Sequence, residues 1–304
     1  MSFAAANLAR TRQAVAGRFV TLLDRLEPTP TELAAYARHK ASVDRALGLV
    51  SVRIGSMGRG TAIRGSSDLD LLTKLSREAV TAGGRLEPSD RVLRRLRDQL
   101  NATFALTEVR RDQVAVVVQF GKGDRAVDVV PAVFDGMVVV DGVGTMRPRF
   151  LIPNGDGRWQ QTSPEAHDAY VAQADVISGY KLKRVARMLK FWRGCRIPAV
   201  PLQSFHAELV LAATGPCVGA KSYAECMVDA LAALAARNGR GLQDPLSISG
   251  IIPAASTRRG AESCHQSVLH SLDHARRAVV AERGGSFQEA ARQWGIVFNG
   301  SFPR

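Results

Sequence analysis

The chain has no long hydrophobic run, and it has few cysteines and histidines. No stretch approaches 18 consecutive apolar residues, so the sequence predicts neither a transmembrane helix nor the apolar core of a signal peptide. The four cysteines are scattered along the chain, and we expect free thiols in a reducing compartment. No Cys-x-x-Cys accompanies the six histidines, and no catalytic triad is recognisable among them. These absences favour a cytoplasmic protein with neither a disulfide scaffold nor a membrane partner.

An excess of basic residues is the main feature of the composition. Lysine and arginine number 41 against 28 acidic residues, which gives a formal net charge of +13 over 304 residues. Such a surface favours polyanions, either nucleoside triphosphates or nucleic acid. Because the solvated faces of helices carry the same pattern, a nucleic-acid partner is the less favoured interpretation. A chain of this length forms one large or two intimately packed domains, and we expect two lobes.

The segment of residues 55–70 carries most of the functional signal. A short β-branched run before it predicts a strand that ends at Gly55. If a helix starts near Ser56, its free backbone N–H groups face an anion. Side chains alternate along a strand, so Asp68 and Asp70 share one face while the intervening leucine turns inward. Two carboxylates on one face can bridge divalent cations, and Mg²⁺ prefers oxygen ligands.

A third carboxylate follows on a later strand. Residues 114–120 and 125–131 predict a strand hairpin around a turn at 121–124. Asp128 alone interrupts the second apolar run. A carboxylate between valines is unfavourable to bury unless it is paired or bound to a metal; Arg125 and Arg53 are available partners. Because a Gly-Ser turn, Asp-x-Asp and hairpin aspartate in this order reproduce one active-site geometry, we assign Asp128 as the third metal ligand.

The remaining pattern is mainly helical. Residues 4–26 and 31–49 predict helices, with Thr31 as the N-cap of the second, and one further helix lies near 89–101. After about Gln160 the apolar periodicity becomes helical almost throughout. The helices predicted there are 163–174, 178–195, 202–214, 222–238, 261–283 and 286–294.

The aspartate motifs resemble those of the cGAS/DncV-like nucleotidyltransferases (CD-NTases), which include bacterial cyclic-oligonucleotide synthases. The likeness rests on residues 55–70 and 128–134, and it continues in the segments 152–167, 182–192 and 201–209. The resemblance implies an α+β fold, in which a polymerase β-like nucleotidyltransferase core with a mixed β-sheet packs against a C-terminal α-helical lobe. We therefore expect a catalytic core with N-terminal helices at residues 1–160 and a helical lobe closing the nucleotide cleft at 161–304.

The resemblance also implies roles for single residues. Gly55 and Ser56 would contact the donor nucleotide. Two Mg²⁺ ions, with Mn²⁺ as a substitute, would be held by the catalytic residues Asp68, Asp70 and Asp128. From the helical lobe, the nucleotide would be contacted by Arg187, Lys190, Ser204 and Phe205. From the pattern alone, a solvated helix face is the favoured interpretation of the two basic residues. The spacing fits Phe205 equally well to a position in a core.

For function, the resemblance implies two-metal nucleotidyl transfer. ATP or other ribonucleoside triphosphates would be joined into a cyclic di- or trinucleotide, with release of pyrophosphate. The product would reach a downstream effector in antiphage signalling of the CBASS type, and a regulatory protein partner fits such a role. Two alternatives stay open. The enzyme could instead modify a small molecule, an RNA end or a protein, or the chain could be a non-catalytic nucleotide- or RNA-binding sensor.

Overall fold

The structure, a computed structural model, describes residues 3–66, 68–121, 125–140 and 144–304. Residues 122–124 of the predicted hairpin turn lie outside these ranges. The chain forms two compact units. The helical unit comprises the residues up to Glu27 with Val171–Pro245 and Gly250–Arg304, and the sheet unit comprises Pro28–Tyr170 with Leu246–Ser249.

The helices occupy both ends of the sequence. In chain order they are α1 (Phe3–Leu26), α2 (Pro30–Leu47), α3 (Gly55–Arg59), α4 (Ser89–Thr103), α5 (Pro164–Ile177), α6 (Leu182–Gly194), α7 (Ser204–Thr214), α8 (Tyr223–Ala236), α9 (Arg258–Arg283) and α10 (Phe287–Val297). One 3₁₀ turn lies at Glu78–Val80. In the described residues, no helix is both long and apolar enough to span a membrane.

The strands lie mostly in the sheet unit. In chain order they are β1 (Val52–Arg53), β2 (Leu69–Leu75), β3 (Thr81–Ala82), β4 (Arg85–Leu86), β5 (Glu108–Arg111), β6 (Val116–Gln119), β7 (Val127–Val139), β8 (Met146–Pro153), β9 (Trp159–Thr162), β10 (Leu242–Gln243) and β11 (Ile251–Ile252). The main sheet has the order β1-β2-β7-β6-β5, with β8 pairing β7 and β9 pairing β8. Because β2 and β7 are parallel and their other neighbours antiparallel, the sheet is mixed, as predicted.

Strand β7 changes its outer neighbour halfway along. Its first part pairs with β6 up to Val129, and its second part pairs with β8 from Val133 onward. Pro131 lies between these two stretches. Proline has no N–H to donate to a ladder, so it is tolerated where one neighbouring strand ends and another begins. The predicted strand 125–131 is therefore longer than expected and continues through Pro131 to Val139.

The helical unit is built around aromatic side chains that α1 and α10 bring together. On α1 the buried residues Val15, Phe19 and Leu22 recur every three or four positions and form one apolar stripe. The Phe19 ring meets the ring of Trp294 edge-on at 4.9 Å and that of Phe302 at 5.1 Å. This packing explains why α1 belongs to the unit of the later helices.

The domain division therefore differs from the expected 1–160 and 161–304. The first helix lies in the helical unit, although it is remote in sequence from the helices it packs against. Residues 161–170 lie in the sheet unit, where Ser163 Oγ donates a hydrogen bond of 2.7 Å to the carbonyl of Pro148. Apolar periodicity indicates which face of a helix is buried but not which partner covers it.

Two predicted helix starts are wrong. The N-cap of α2 is Thr29 and not Thr31, since Pro30 takes the first helical position and Thr29 forms a capping box with Glu32. Helix α6 begins at Leu182 and not at position 178, because Gly179 and Tyr180 adopt left-handed φ angles of 67° and 61° that a helix does not contain. The other predicted helices form within a few residues of their expected bounds.

Candidate active site

The Gly-Ser turn joins β1 to the short helix α3. Gly55 has a φ of +62°, a left-handed conformation that glycine adopts without a steric penalty. Ser56 is half-buried in α3, which has only five residues and no side-chain cap at its start. The free N–H groups of this single turn are thus available, whereas a five-residue helix adds little dipole.

Gly55 also lies directly against one of the predicted metal ligands. A Cβ atom at this position would stand 1.9 Å from Oδ2 of Asp70, so no larger residue fits without displacing the carboxylate. The Asp70 carbonyl accepts a hydrogen bond of 2.9 Å from the N–H of Ile54. The turn and the first residues of β2 are therefore fixed to each other, and Asp70 is placed beside the glycine.

The parallel pairing of β2 and β7 places two aspartates side by side. Asp70 is in register with Asp128, and the flanking pairs, Leu69 with Val127 and Leu71 with Val129, are fully buried in one core cluster. Side chains in register on adjacent strands point to the same face, opposite to that of their flanking residues. Asp70 and Asp128 therefore share the face away from this cluster, whereas Asp68, predicted to share a strand face with Asp70, precedes the first residue of β2.

The aspartates influence each other electrostatically. Burial raises the pKa of Asp128 to about 6, the negative charges of Asp68 and Asp112 add to the effect, and Arg110 opposes it. Loss of hydration around Asp68 raises its pKa as well, against the attraction of Arg125. A carboxylate whose pKa is raised by burial and by a neighbouring negative charge favours a cation beside it. The sequence offered Arg125 and Arg53 as pairing partners of Asp128. The positive charge that lowers its pKa comes instead from Arg110.

The donor set fits hard divalent cations, because all three side chains are carboxylates. In the part of the chain that the structure describes, no group of three or more histidine, cysteine, aspartate or glutamate side chains is arranged closely enough to hold a metal ion. The three aspartates are thus neighbours and not an assembled cage.

An ion pair that the sequence analysis did not anticipate supports α3. Arg59, which is 8% exposed, has its NH1 atom 3.6 Å from Oδ1 of Asp168 on α5. A Cβ atom at Gly58 would lie 3.0 Å from Oδ2 of the same aspartate. The Gly-Ser turn is therefore held from its C-terminal side. The position of Arg59 within the glycine-rich segment was a visible signal, but its partner more than 100 residues later was not.

The predicted nucleotide contacts of the helical unit lie on α6 and α7. Lys190 Nζ stands 2.8 Å from Oε1 of the buried Glu208, and Arg187 bonds Glu27 at 2.5 Å. Ser204 Oγ accepts a hydrogen bond of 3.1 Å from Arg193. These contacts are made within the helical unit, and they give the two predicted basic residues structural partners.

The aromatic side chain of Phe205 follows Ser204 on α7 and is half-buried. It is therefore neither a full core residue nor a fully solvated one. Ser204 itself is the first helical residue, and the N-cap is Gln203, whose side chain makes no capping hydrogen bond. A base could stack only on the exposed part of the Phe205 ring.

Comparison with known proteins identifies the family. Residues 15–174, just over half of the chain, match the family described as the Second Messenger Oligonucleotide or Dinucleotide Synthetase (SMODS) domain. The chain belongs to the SMODS family. The predicted CD-NTase membership is thereby confirmed, and the matched range contains all three aspartates together with the Gly-Ser turn.

Similar proteins include a cyclic AMP-AMP-AMP synthase of Escherichia coli (strain MS 115-1). This SMODS chain is 28% identical to it over 166 residues, which cover 52% of this chain and 47% of that protein. The match thus spans about half the length of this curated relative.

Two solved structures of CdnC from E. coli MS115-1 share the fold. The complex of CdnC with HORMA-deltaN is 19% identical, has a TM-score of 0.72, and covers 96% of this chain and 98% of that one. CdnC with ATP is 18% identical, has a TM-score of 0.69, and covers 98% of each chain. The α+β polymerase β-like fold predicted from the sequence is confirmed.

Proposed function

We propose that this SMODS protein is a nucleotidyltransferase that joins ribonucleoside triphosphates into a cyclic di- or trinucleotide. The observation that carries the proposal is the register of Asp70 with Asp128 on adjacent strands, with the Gly-Ser turn packed against Asp70. Family membership adds support, since known members of this family are divalent-metal-dependent nucleotidyltransferases. The name of the E. coli relative, a cyclic AMP-AMP-AMP synthase, favours ATP among the substrates.

The chemistry assigned to this site is transfer by two metal ions. Mg²⁺, or Mn²⁺ in its place, would be held by Asp68, Asp70 and Asp128 and would supply positive charge for the attacking hydroxyl and the leaving pyrophosphate. Asp128 is half-buried and burial raises its pKa to about 6, so it is suited to stand beside the hydroxyl that loses a proton. Ser56 and the backbone at Gly55 would bind the phosphates of the donor.

The helical unit would supply further contacts to the nucleotide. Lys190 and Ser204, with Arg187, would contact the triphosphate, and Phe205 would stack on a base. The CdnC structure with ATP supports a nucleotide as the ligand of this fold. Because Lys190 and Arg187 have carboxylate partners in this structure, triphosphate binding would compete with those ion pairs.

We further propose a role in antiphage signalling of the CBASS type, in which the cyclic product activates a downstream effector. The CdnC complex with HORMA-deltaN supports a regulatory protein as a partner of this synthase.

Product analysis tests the proposal. The purified chain, incubated with all four ribonucleoside triphosphates and Mg²⁺ or Mn²⁺, is expected to release pyrophosphate and to form a nuclease-resistant cyclic product visible by mass spectrometry. Asp68→Asn and Asp70→Asn are expected to abolish this product while the circular dichroism spectrum stays that of the wild type. Turnover by either variant at the wild-type rate would refute the site, and a labelled acceptor without a cyclic product would indicate transfer to another molecule.

A further inference from the structure

The carboxylate of Glu32 on α2 serves two elements at once. Its Oε2 accepts hydrogen bonds from the backbone N–H of Thr29 at 2.7 Å and from the Thr29 hydroxyl at 2.9 Å, which completes the capping box. Its Oε1 accepts a hydrogen bond of 2.7 Å from the N–H of Gly65, which is 33 residues later. One side chain therefore ties the start of α2 to the segment that leads into the aspartate motif.

Gly65 is where this segment turns. Its φ is +65°, and the N–H of Ser66 closes the turn onto the carbonyl of Ile63 at 3.3 Å. On the other side of Asp68, the N–H of Leu69 donates to the carbonyl of Ala126 at 3.2 Å. Asp68 thus lies between Gly65, which is bonded to Glu32, and Leu69, which is bonded to the carbonyl of Ala126. It is the most exposed of the three aspartates, so it depends most on its backbone for its position.

The charge of Glu32 strengthens this connection. Partial burial acts to raise its pKa, but the hydrogen bonds from Thr29 and Gly65, with the nearby Arg64, outweigh that effect and lower the pKa. The side chain is therefore an ionised acceptor at neutral pH, and hydrogen bonds to an ionised acceptor are stronger than those between neutral groups.

We propose that Glu32 is a positioning residue for the metal site, holding the Gly65 turn so that Asp68 stands where it can share a divalent cation with Asp70 and Asp128. This role rests on the proposed function of the aspartates. Glu32 itself has no assigned contact with the cation or the nucleotide, and it acts by fixing the Gly65 turn. Neither the capping box at Thr29 nor the bond of Glu32 to Gly65 was anticipated from the sequence.

The chain supplies a matched control for the capping function. Helix α8 begins with the same device, in which Ser222 and Glu225 form a capping box. The second oxygen of Glu225 accepts a hydrogen bond from Arg283 on α9 at 3.0 Å. Glu32→Ala and Glu225→Ala therefore remove equivalent caps, but only the first removes a bond to the Gly65 turn. Thr29→Ala is a second control, because it weakens the α2 cap and leaves Glu32 in place.

The experiment measures binding of Mn²⁺ to the full chain by electron paramagnetic resonance, in the presence of a non-hydrolysable ATP analogue. Glu32→Ala is expected to weaken Mn²⁺ binding about 10-fold, as is typical when a group that supports a metal ligand is removed. Amide hydrogen exchange across residues 63–69 should accelerate in the same variant. Glu225→Ala and Thr29→Ala are expected to bind Mn²⁺ like the wild type, although both lose some thermal stability.

Glu32→Gln keeps a neutral acceptor and guards against a failure of the alanine variant to fold. Its Mn²⁺ affinity is expected to lie between those of the wild type and Glu32→Ala. The proposal would be overturned if folded Glu32→Ala kept wild-type Mn²⁺ affinity and unchanged hydrogen exchange at residues 63–69. It would also be overturned if Glu32→Gln kept wild-type Mn²⁺ affinity although its bond to Gly65 was broken. Asp68→Asn is measured in parallel. If Asp68→Asn also binds Mn²⁺ normally, the proposed aspartate site is wrong. If Asp68→Asn loses Mn²⁺ binding and Glu32→Ala does not, only the role of Glu32 is refuted.

Discussion

At the scale of single residues, Gly55 is the position where conformation and space both exclude a side chain. Gly55→Ala would place a methyl group 1.9 Å from Asp70 Oδ2 and hold alanine at a φ of +62°. We expect activity to fall by at least 100-fold, because the carboxylate must move, while stability falls by about 1–2 kcal/mol from the left-handed backbone. Steady-state kinetics and thermal unfolding measure the two effects.

Gly48 provides the control for the backbone effect. It ends α2 with a φ of +65°, and a Cβ there would meet no atom within 4 Å. Gly48→Ala should therefore lose about the same 1–2 kcal/mol of stability and keep wild-type activity. Equal losses of activity in the two alanine variants would mean that the contact with Asp70 is unimportant.

Glu282 on α9 predicts a pH dependence of stability in the helical unit. Burial raises its pKa, with the charge of Glu225 adding to the effect, and its buried Oε2 has no hydrogen-bond partner among the residues that the structure describes. Because the folded-state pKa lies above the unfolded value of about 4.5, its ionised form is disfavoured in the folded state. Protonated Glu282 therefore contributes to the free energy of unfolding below pH 4.5. This contribution is lost as the pH rises through the folded-state pKa.

Glu282→Gln removes this ionisation and should raise the midpoint of thermal unfolding at pH 8. The gain should shrink at pH 4, where the wild-type side chain is protonated. Glu262→Gln on the same helix is the control, since the exposed Glu262 forms only a surface ion pair with Arg258. A constant difference between Glu282→Gln and wild type from pH 4 to pH 8 would contradict the assignment.

Single-residue roles were predictable where the pattern is short. The Gly-Ser turn and Asp-x-Asp lie within 16 residues of each other, and strand alternation alone puts Asp70 on a face away from the buried Leu69 and Leu71. The contacts of Glu32 with Gly65 and of Arg59 with Asp168 connect residues far apart in the sequence. Such pairings depend on how elements pack, and a local pattern carries no information about them.

At the scale of elements, α6 and α7 are joined by the buried pair of Lys190 and Glu208, which are 9% and 1% exposed. Lys190→Met would leave the Glu208 charge without this partner in a buried position, at a loss of about 3 kcal/mol. The double variant Lys190→Met/Glu208→Leu should recover most of the stability. Chemical denaturation of the three proteins measures both changes.

The same double variant separates the structural role of Lys190 from the proposed role in nucleotide binding. If Lys190 also contacts the triphosphate, the KM for ATP stays raised in the double variant although stability returns. A KM that recovers together with stability would restrict Lys190 to the ion pair. Arg184→Met is the control on the same helix, because its guanidinium is exposed and bonds only Tyr223 among the contacts found for it.

Element types were predictable from apolar periodicity, whereas element ends depended on single residues. The start of α2 moved from Thr31 to Thr29 because of a proline at the first helical position. The start of α6 moved to Leu182 because Ser178 Oγ caps the N–H groups of Lys181 and Leu182 after a left-handed turn. Both devices are written in the sequence, but several neighbouring residues could have served equally well as caps.

At the scale of the whole molecule, the first helix and the last helix belong to one packing unit. Phe19→Ala should destabilise the helical unit by about 3–5 kcal/mol, because a fully buried ring is lost from contact with Trp294 and Phe302. Amide hydrogen exchange should accelerate most in α1 and α10. Leu96→Ala, in the core of the sheet unit, should accelerate exchange most in α4 and the strands it covers. The same exchange pattern in both variants would contradict the division into these units.

Pro131 has a consequence for how this architecture can diversify. Since β7 exchanges β6 for β8 at that residue, its ladder with β6 ends before the proline, while its ladder with β2 continues to Val133. The far ends of β7 and β8, where Val139 and Met146 are exposed, can therefore vary in length and sequence among related proteins while the reactive carboxylates keep their places. Sequence drift among homologues should accordingly accumulate on the far side of this imino acid.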